Sequence, residues 1–175
     1  IKWSKDDEGA LTLLTHAARK GHAEICQMLL DKGVRKGDGA TGLIASCRMG
    51  HSKVVELLLA AGGIRVNQAN DEEVTPLYIA SQGGHSKVVE MLLAADGIQV
   101  NKATDEEATP LYIACEKGRS KVVKMLLAVD DIQVNQAKNG GFTPLYVACQ
   151  EDHSKVVKML LAVGGIQVNQ ANNKN

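Results

Sequence analysis

Thr-Pro-Leu-Tyr-Ile-Ala stands at residues 75–80 and again at 109–114, and Thr-Pro-Leu-Tyr-Val-Ala at 143–148, a step of 34 residues each time. A fixed period of this length constrains the chain more than any other feature. It calls for copies of one small supersecondary unit, none able to bury its apolar face alone, stacked so that neighbours complete each other's core. Such a stack offers a long surface built from adjoining units rather than a closed catalytic pocket. The sequence therefore speaks to how the chain meets a partner, not to which partner it meets.

Two further landmarks keep the same register. Gly-His recurs at Gly21-His22, Gly50-His51 and Gly84-His85, then becomes Gly118-Arg119 and Asp152-His153. Val-Asn recurs at Val66-Asn67, Val100-Asn101, Val134-Asn135 and Val168-Asn169. Degraded copies of the threonine motif begin at Thr41 and Thr12. The whole chain, 1–175, reads as one domain of five units, at about 7–35, 36–69, 70–103, 104–137 and 138–171.

One unit can be read from its residues. Asn70, Asp71, Glu72 and Glu73 are polar without apolar periodicity, and read as a turn. Thr75 is a good N-cap, and Pro76 suits the first helical position, where a missing N–H costs nothing. That helix is predicted to run to about Gln82 and to stop at Gly83 and Gly84. Ser86 is the expected cap of a second helix carrying Val88, Val89, Met91, Leu92 and Leu93 on two adjoining faces. Asp96 and Gly97 end it, and residues 98–101 connect to the next unit. Neither helix is long enough to stand alone, so stacking supplies the stability.

On Thr75-Pro76-Leu77 with Ala80, Gly84-His85, Val88-Val89, Leu92-Leu93 and Val100-Asn101, repeated in phase, the chain resembles ankyrin-repeat proteins over about residues 7–171. The resemblance implies an all-α ankyrin solenoid of stacked helix-turn-helix units joined by finger-like turns. Three departures stand out. Tyr78, Tyr112 and Tyr146 replace the family's usual His. Glu73 and Glu107 stand where a turn glycine is usual, with Gly39 and Gly141 keeping it; a Glu at positive φ is mildly strained, so those two turns are expected to have altered geometry. Each full unit is one residue longer than the family's 33.

Composition removes several function classes. Twenty basic residues balance twenty acidic ones, which argues against charge-driven binding to nucleic acid or to a membrane surface. Aromatics are 3%, too few for base-stacking platforms. No apolar run is long enough to cross a bilayer, and no signal-peptide pattern opens the chain. The first residue is Ile, which reads as a fragment or a processed product. Cys47, Cys115 and Cys149 share one repeat position, with Cys26 apart. Neighbouring helices lie about 8–10 Å apart, beyond the roughly 7 Å a disulfide spans. Free, buried thiols are expected, and with them an intracellular, cytoplasmic setting.

No residue pattern supports chemistry. His22, His51, His85 and His153 stand a whole unit apart and cannot converge on one ion, so a structural place at the inter-helix turn is expected, with no metal and no cofactor. The chain is accordingly not read as an enzyme. The tyrosines are expected to pack mainly between successive first helices.

By the resemblance, fingers and first helices line a concave binding face. Asp71, Glu72, Asp105 and Glu106 would make it acidic, and Tyr78, Tyr112, Tyr146, Glu116, Lys117 and Gln150 would lie beside them. Phe142, the single Phe, would be an exposed anchor at the last finger. Lysines recur on the other face, from Lys53 to Lys158, and read as a solvated surface. The reading is a protein-binding module for a partner with a basic or mixed segment, with no nucleic acid and no membrane. A structural spacer, or the targeting part of a larger enzyme, stays open beside it. The last unit repeats the internal apolar pattern almost unchanged, so the array is expected to continue or to pack on another molecule, and otherwise to be monomeric.

Overall fold

A computed structural model describes residues 12–33 and 36–170. Among them are ten helices and no strand, with one isolated bridge between Lys138 and Phe142. The first unit supplies α1 (Leu13–Lys20) and α2 (Ala23–Asp31), and the second α3 (Lys36–Met49) and α4 (Ser52–Ala60). The third supplies α5 (Pro76–Gly83) and α6 (Ser86–Leu93), and the fourth α7 (Pro110–Glu116) and α8 (Ser120–Leu126). The fifth supplies α9 (Pro144–Gln150) and α10 (Ser154–Leu161). First helices pack on first helices and second on second, each unit touching its neighbours. The first-helix row is the more closely packed, and the resemblance to ankyrin repeats implies that this is the concave side. One leucine per second helix from α4 onward is fully buried (Leu58, Leu92, Leu126, Leu160), and first helices add Leu14, Leu43, Leu77 and Leu111.

The Thr-Pro motif does what its chemistry predicts. The hydroxyls of Thr75, Thr109 and Thr143 each accept the backbone N–H three residues on, at Tyr78, Tyr112 and Tyr146, all at 3.1 Å. The following prolines occupy the first helical turn. Units one and two lack the proline, with Leu13 and Gly42 in its place. Unit one still caps at Thr12, so the missing proline permits the helix of unit two to run backwards but does not by itself cause it. Residues 36–39, expected as a finger with a turn glycine at Gly39, instead open α3.

The serines are not the caps expected of them. Ser52, Ser86, Ser120 and Ser154 are the first helical residues, and the cap positions belong to His51, His85, Arg119 and His153, whose side chains make no cap bond. Those side chains reach back to the preceding unit. Nε2 of His51, His85 and His153 donates to the carbonyls of Arg19, Arg48 and Glu116 at 3.1, 3.0 and 2.9 Å. Arg119 Nε donates to Gln82 O at 3.0 Å, filling the same role. Every acceptor lies in the last turn of a first helix, where carbonyls lack an intrahelical donor.

The glycine of each pair forms the socket. Gly21, Gly50, Gly84 and Gly118 have φ of 76°, 74°, 77° and 63°, and a Cβ on any of them would fall within 2.5–2.8 Å of the next unit's ring or guanidinium arm. Position and space both require glycine there. In unit five this residue is Asp152, at φ 55°. A second clamp comes from asparagine. Asn67 donates to Gly97 O at 2.7 Å and accepts from Gln99 N at 2.9 Å, and Asn101 and Asn135 repeat both bonds one and two units on.

These bonds make the turn a joint between units. Arg119→His is expected to leave stability within about 0.5 kcal/mol, since either side chain reaches the same carbonyl. His85→Ala should lose about 1–2 kcal/mol by stranding that carbonyl, and Gly50→Ala should lose more, since it meets both the His85 ring and a positive φ. Urea denaturation of the three variants checks the order; a neutral Gly50→Ala would contradict it.

Candidate partner-binding face

The fingers are built by local bonds. Asn70 Oδ1 accepts from Glu72 N at 3.1 Å and Val74 N at 2.9 Å, folding residues 70–74 into a tight turn. Against the expectation of altered geometry, Glu73 and Glu107 take φ of 55° and 62°, the same left-handed turn that Gly141 takes at 79°. Adjacent fingers are then tied together. Asp105 N donates to Glu72 O at 3.4 Å and Asn139 N to Glu106 O at 3.0 Å. Ion pairs join Lys102 to Glu73 at 2.9 Å and Lys138 to Glu106 at 2.5 Å.

The acidic residues therefore divide. Asp71, Glu72 and Asp105 are exposed and carry no ion pair among the described residues. Glu106 is held by Lys138. Glu116 pairs with Lys117 at 2.6 Å on the end of α7, and Gln150 donates to Glu151 at 3.1 Å beyond α9.

Beneath the fingers lie the tyrosines. Tyr112 is 5% exposed and Tyr78 half-buried, whereas Tyr146 is 39% exposed. Tyr112 is thus a wall of the site rather than an open contact, a limit on what its sequence position implied. Phe142 is not a projecting anchor either. It is half-buried and folds over Tyr146, with ring centroids 5.2 Å apart and planes tilted by 53°. Gly140, at φ 90°, leaves the space its ring edge occupies.

Burial, followed by the carboxylates of Glu116, Glu106 and, more weakly, Glu72, pushes the Tyr78 hydroxyl up to about 12. Tyr112 is pushed up to about 12 by burial and then by Glu116, Glu106 and Glu151. The fingers, the inner-helix acids and the tyrosine ladder thus share one electrostatic environment, negative over units three and four. Toward unit five the surface changes. Tyr112, Phe142, Tyr146 and Val147 wall a hollow of about 360 Å³, with Lys138, Asn139 and Gln150 at its rim. Lys138 and Asn139 were not among the residues the sequence singled out; a basic residue opening the last finger, opposite an acidic one in the finger before, was the available signal.

Cys26, Cys47 and Cys115 are buried free thiols, but Cys149 is exposed, because among the described residues no further first helix covers α9. No group of three or more His, Cys, Asp or Glu among the described residues could hold a metal ion. No described helix is long and apolar enough to cross a membrane. In the last unit Val156 and Leu160 are buried, while Leu161 and Val168 are exposed.

With the stacked helix pairs, the finger row and the concave tyrosine ladder in place, comparison with known families decides the membership. A profile of ankyrin repeats, three copies long, matches residues 14–104 and 100–172. The chain belongs to the ankyrin-repeat family. Ankyrin repeats generally serve as protein–protein interaction modules. A stretch of 50 residues is 48% identical to a probable E3 ubiquitin-protein ligase, XBOS33, of Oryza sativa subsp. japonica. That match covers 26% of this chain and 10% of the rice protein, so the chain spans a small part of that relative's length.

The tyrosine ladder of this ankyrin array predicts an alkaline signature. Both raised hydroxyls keep their proton in the folded state above the unfolded value near 10, so the stability they contribute is present below pH 10 and is lost as pH rises toward 12. A phenolate absorbance titration should show Tyr78 and Tyr112 ionising late, together with unfolding. Ordinary titration of these two in a folded chain would contradict this placement.

Proposed function

We propose that this ankyrin array binds a protein partner through its concave face, meeting a basic or mixed segment with Asp71, Glu72 and Asp105 and an apolar side chain with the Tyr112–Phe142–Tyr146 hollow. The observation that supports this best is the coincidence, on one face, of unpaired carboxylates and an aromatic hollow that the stacking contacts leave open. Exposed charge pairs are each worth only about 0.2–1 kcal/mol, so the acidic fingers orient and select more than they hold. Affinity would come from apolar area buried in the hollow, at about 25 cal/mol per Å².

The array performs no chemistry in this reading. The likeness to a stretch of a probable ubiquitin ligase supports a role in which such an array finds a partner for a larger protein, with any reaction carried out elsewhere. The lysines of the second helices, Lys121, Lys124, Lys155 and Lys158, are exposed on the opposite side and serve solubility.

Affinity capture from cell extract tests the proposal. Asp71→Lys, Glu72→Lys and Asp105→Lys combined should abolish capture of the principal partner while leaving the circular dichroism spectrum unchanged. The parallel variant Lys121→Glu, Lys124→Glu, Lys155→Glu and Lys158→Glu should retain it. Loss from the outer variant alone would transfer the binding site to the convex side.

A further inference from the structure

The joint that links each unit to the next is left half-made at both ends of the described array. His22 holds the arm position of unit one, yet it is exposed and bonds to no described residue, where His51, His85 and His153 are half-buried against the preceding turn. Gln150 O holds the acceptor position of unit five, the place that Glu116 O holds in unit four, and no described residue donates to it. Asn169 likewise bonds to no described residue, whereas Asn67, Asn101 and Asn135 each span to the following unit.

The apolar positions repeat the pattern. Ile25 is 43% exposed, whereas Val54, Val88, Val122 and Val156 in its register are at most 1% exposed. Leu13, in the register of three buried prolines, is 77% exposed. At the far end Cys149 is exposed where Cys47 and Cys115 are buried, and Leu161 is exposed beside it in unit five. Each end thus presents one half of the interface that internal units share. Charge matches as well. Lys20 and Glu151 occupy the same repeat position, exposed, at opposite ends. The socket residue of unit five is Asp152, exposed at φ 55°. A Cβ at the equivalent Gly118 would point at the incoming arm, 2.6 Å from the His153 ring. Asp152 therefore keeps an incoming ring out of the place it takes in internal joints and offers it a carboxylate instead.

We infer that this chain stacks head to tail on a second copy of itself, unit one of one molecule seated on unit five of the next. A ring N–H of His22 then donates to Asp152, Leu13 faces Cys149 across the first-helix row, and Ile25 faces Leu161 across the second. The second copy is the occupant because one chain carries both halves of the joint, an arm without a socket and a socket without an arm, with opposite charge at the meeting point. The contact continues the unit-to-unit interface already present four times within the chain. It uses the ends of the array and not the concave face, so it stands apart from the partner-binding reading above. Two different surfaces meet in it, so each added copy leaves a free end and the stack grows past a dimer.

Sedimentation velocity of the full chain tests it. The mass should rise from the 18.7 kDa monomer past that of a dimer as concentration increases. Ile25→Glu spoils one end and Leu161→Glu the other, each at an exposed position where the circular dichroism spectrum should not change. Either variant alone should stay monomeric. An equal mixture of the two should give a dimer and nothing larger, since a single competent pair of ends remains, a result that no symmetric contact produces. Asp152→Ala keeps the Cβ and removes the carboxylate, and should weaken association about two- to ten-fold, the worth of one hydrogen bond. A chain monomeric at every concentration, a mass that stops at the dimer, a mixture that stays monomeric, or association untouched by Asp152→Ala overturns the inference.

Discussion

Each unit of this chain leaves its own turn unfinished. The turn's own N–H groups satisfy two of the last carbonyls of a first helix, and a further one takes its donor from the next unit, as the Nε2 of His51, His85 or His153 or the Nε of Arg119. The arm fits only because the receiving turn carries a glycine at positive φ, with no Cβ where the ring must sit. The same residue pair is therefore socket for the following unit and arm for the preceding one. The Val-Asn asparagine repeats the device at the opposite end of the unit, spanning to the next connector with both its amide atoms. Backbone satisfaction and stacking are thus one requirement, and the step between units is set as much by these bonds as by the leucine core.

That requirement decides what remains for a partner. Second helices spend their valines and leucines on the core and turn lysines to solvent, and first helices bury all but one edge. The concave edge and the fingers are what the stacking does not consume. Even there, cross-finger bonds take Glu73 and Glu106 out of play through Lys102 and Lys138. What is left is four carboxylates on units three and four (Asp71, Glu72, Asp105 and Glu107) and an aromatic hollow where unit four meets unit five, a face with a charged end and an apolar end rather than a uniformly acidic patch.

Much of this is legible in the residues because the period forces the same local solution each time. The Thr caps and the helix stops follow from local chemistry alone, and the structure has them; the turns at Glu73 and Glu107, expected to have altered geometry, instead keep the positive φ of the glycine they replace. What is not legible depends on distances across units. Ser86 looks like a cap until one sees that His85 holds the position and bonds thirty-seven residues away to Arg48. Lys36 to Gly39 looks like a finger because its composition matches one, but the absent proline at Gly42 lets α3 run through it. Phe142 looks free because its position varies, yet Gly140 and Tyr146 give it a place to fold. Cys149 occupies a buried register position and is nevertheless exposed, since burial there is conferred by a neighbour and not by the residue.

The central claim is that the concave edge of units three to five, and not the lysine-bearing back, carries the recognition. Amide hydrogen exchange of the chain with and without its captured partner, resolved by residue, tests this most directly. The account predicts new protection at residues 70–74, 104–107 and 138–142 and along the exposed edge of α9, with α8 and α10 unchanged. Protection confined to α8 and α10, with the fingers exchanging as before, would contradict it.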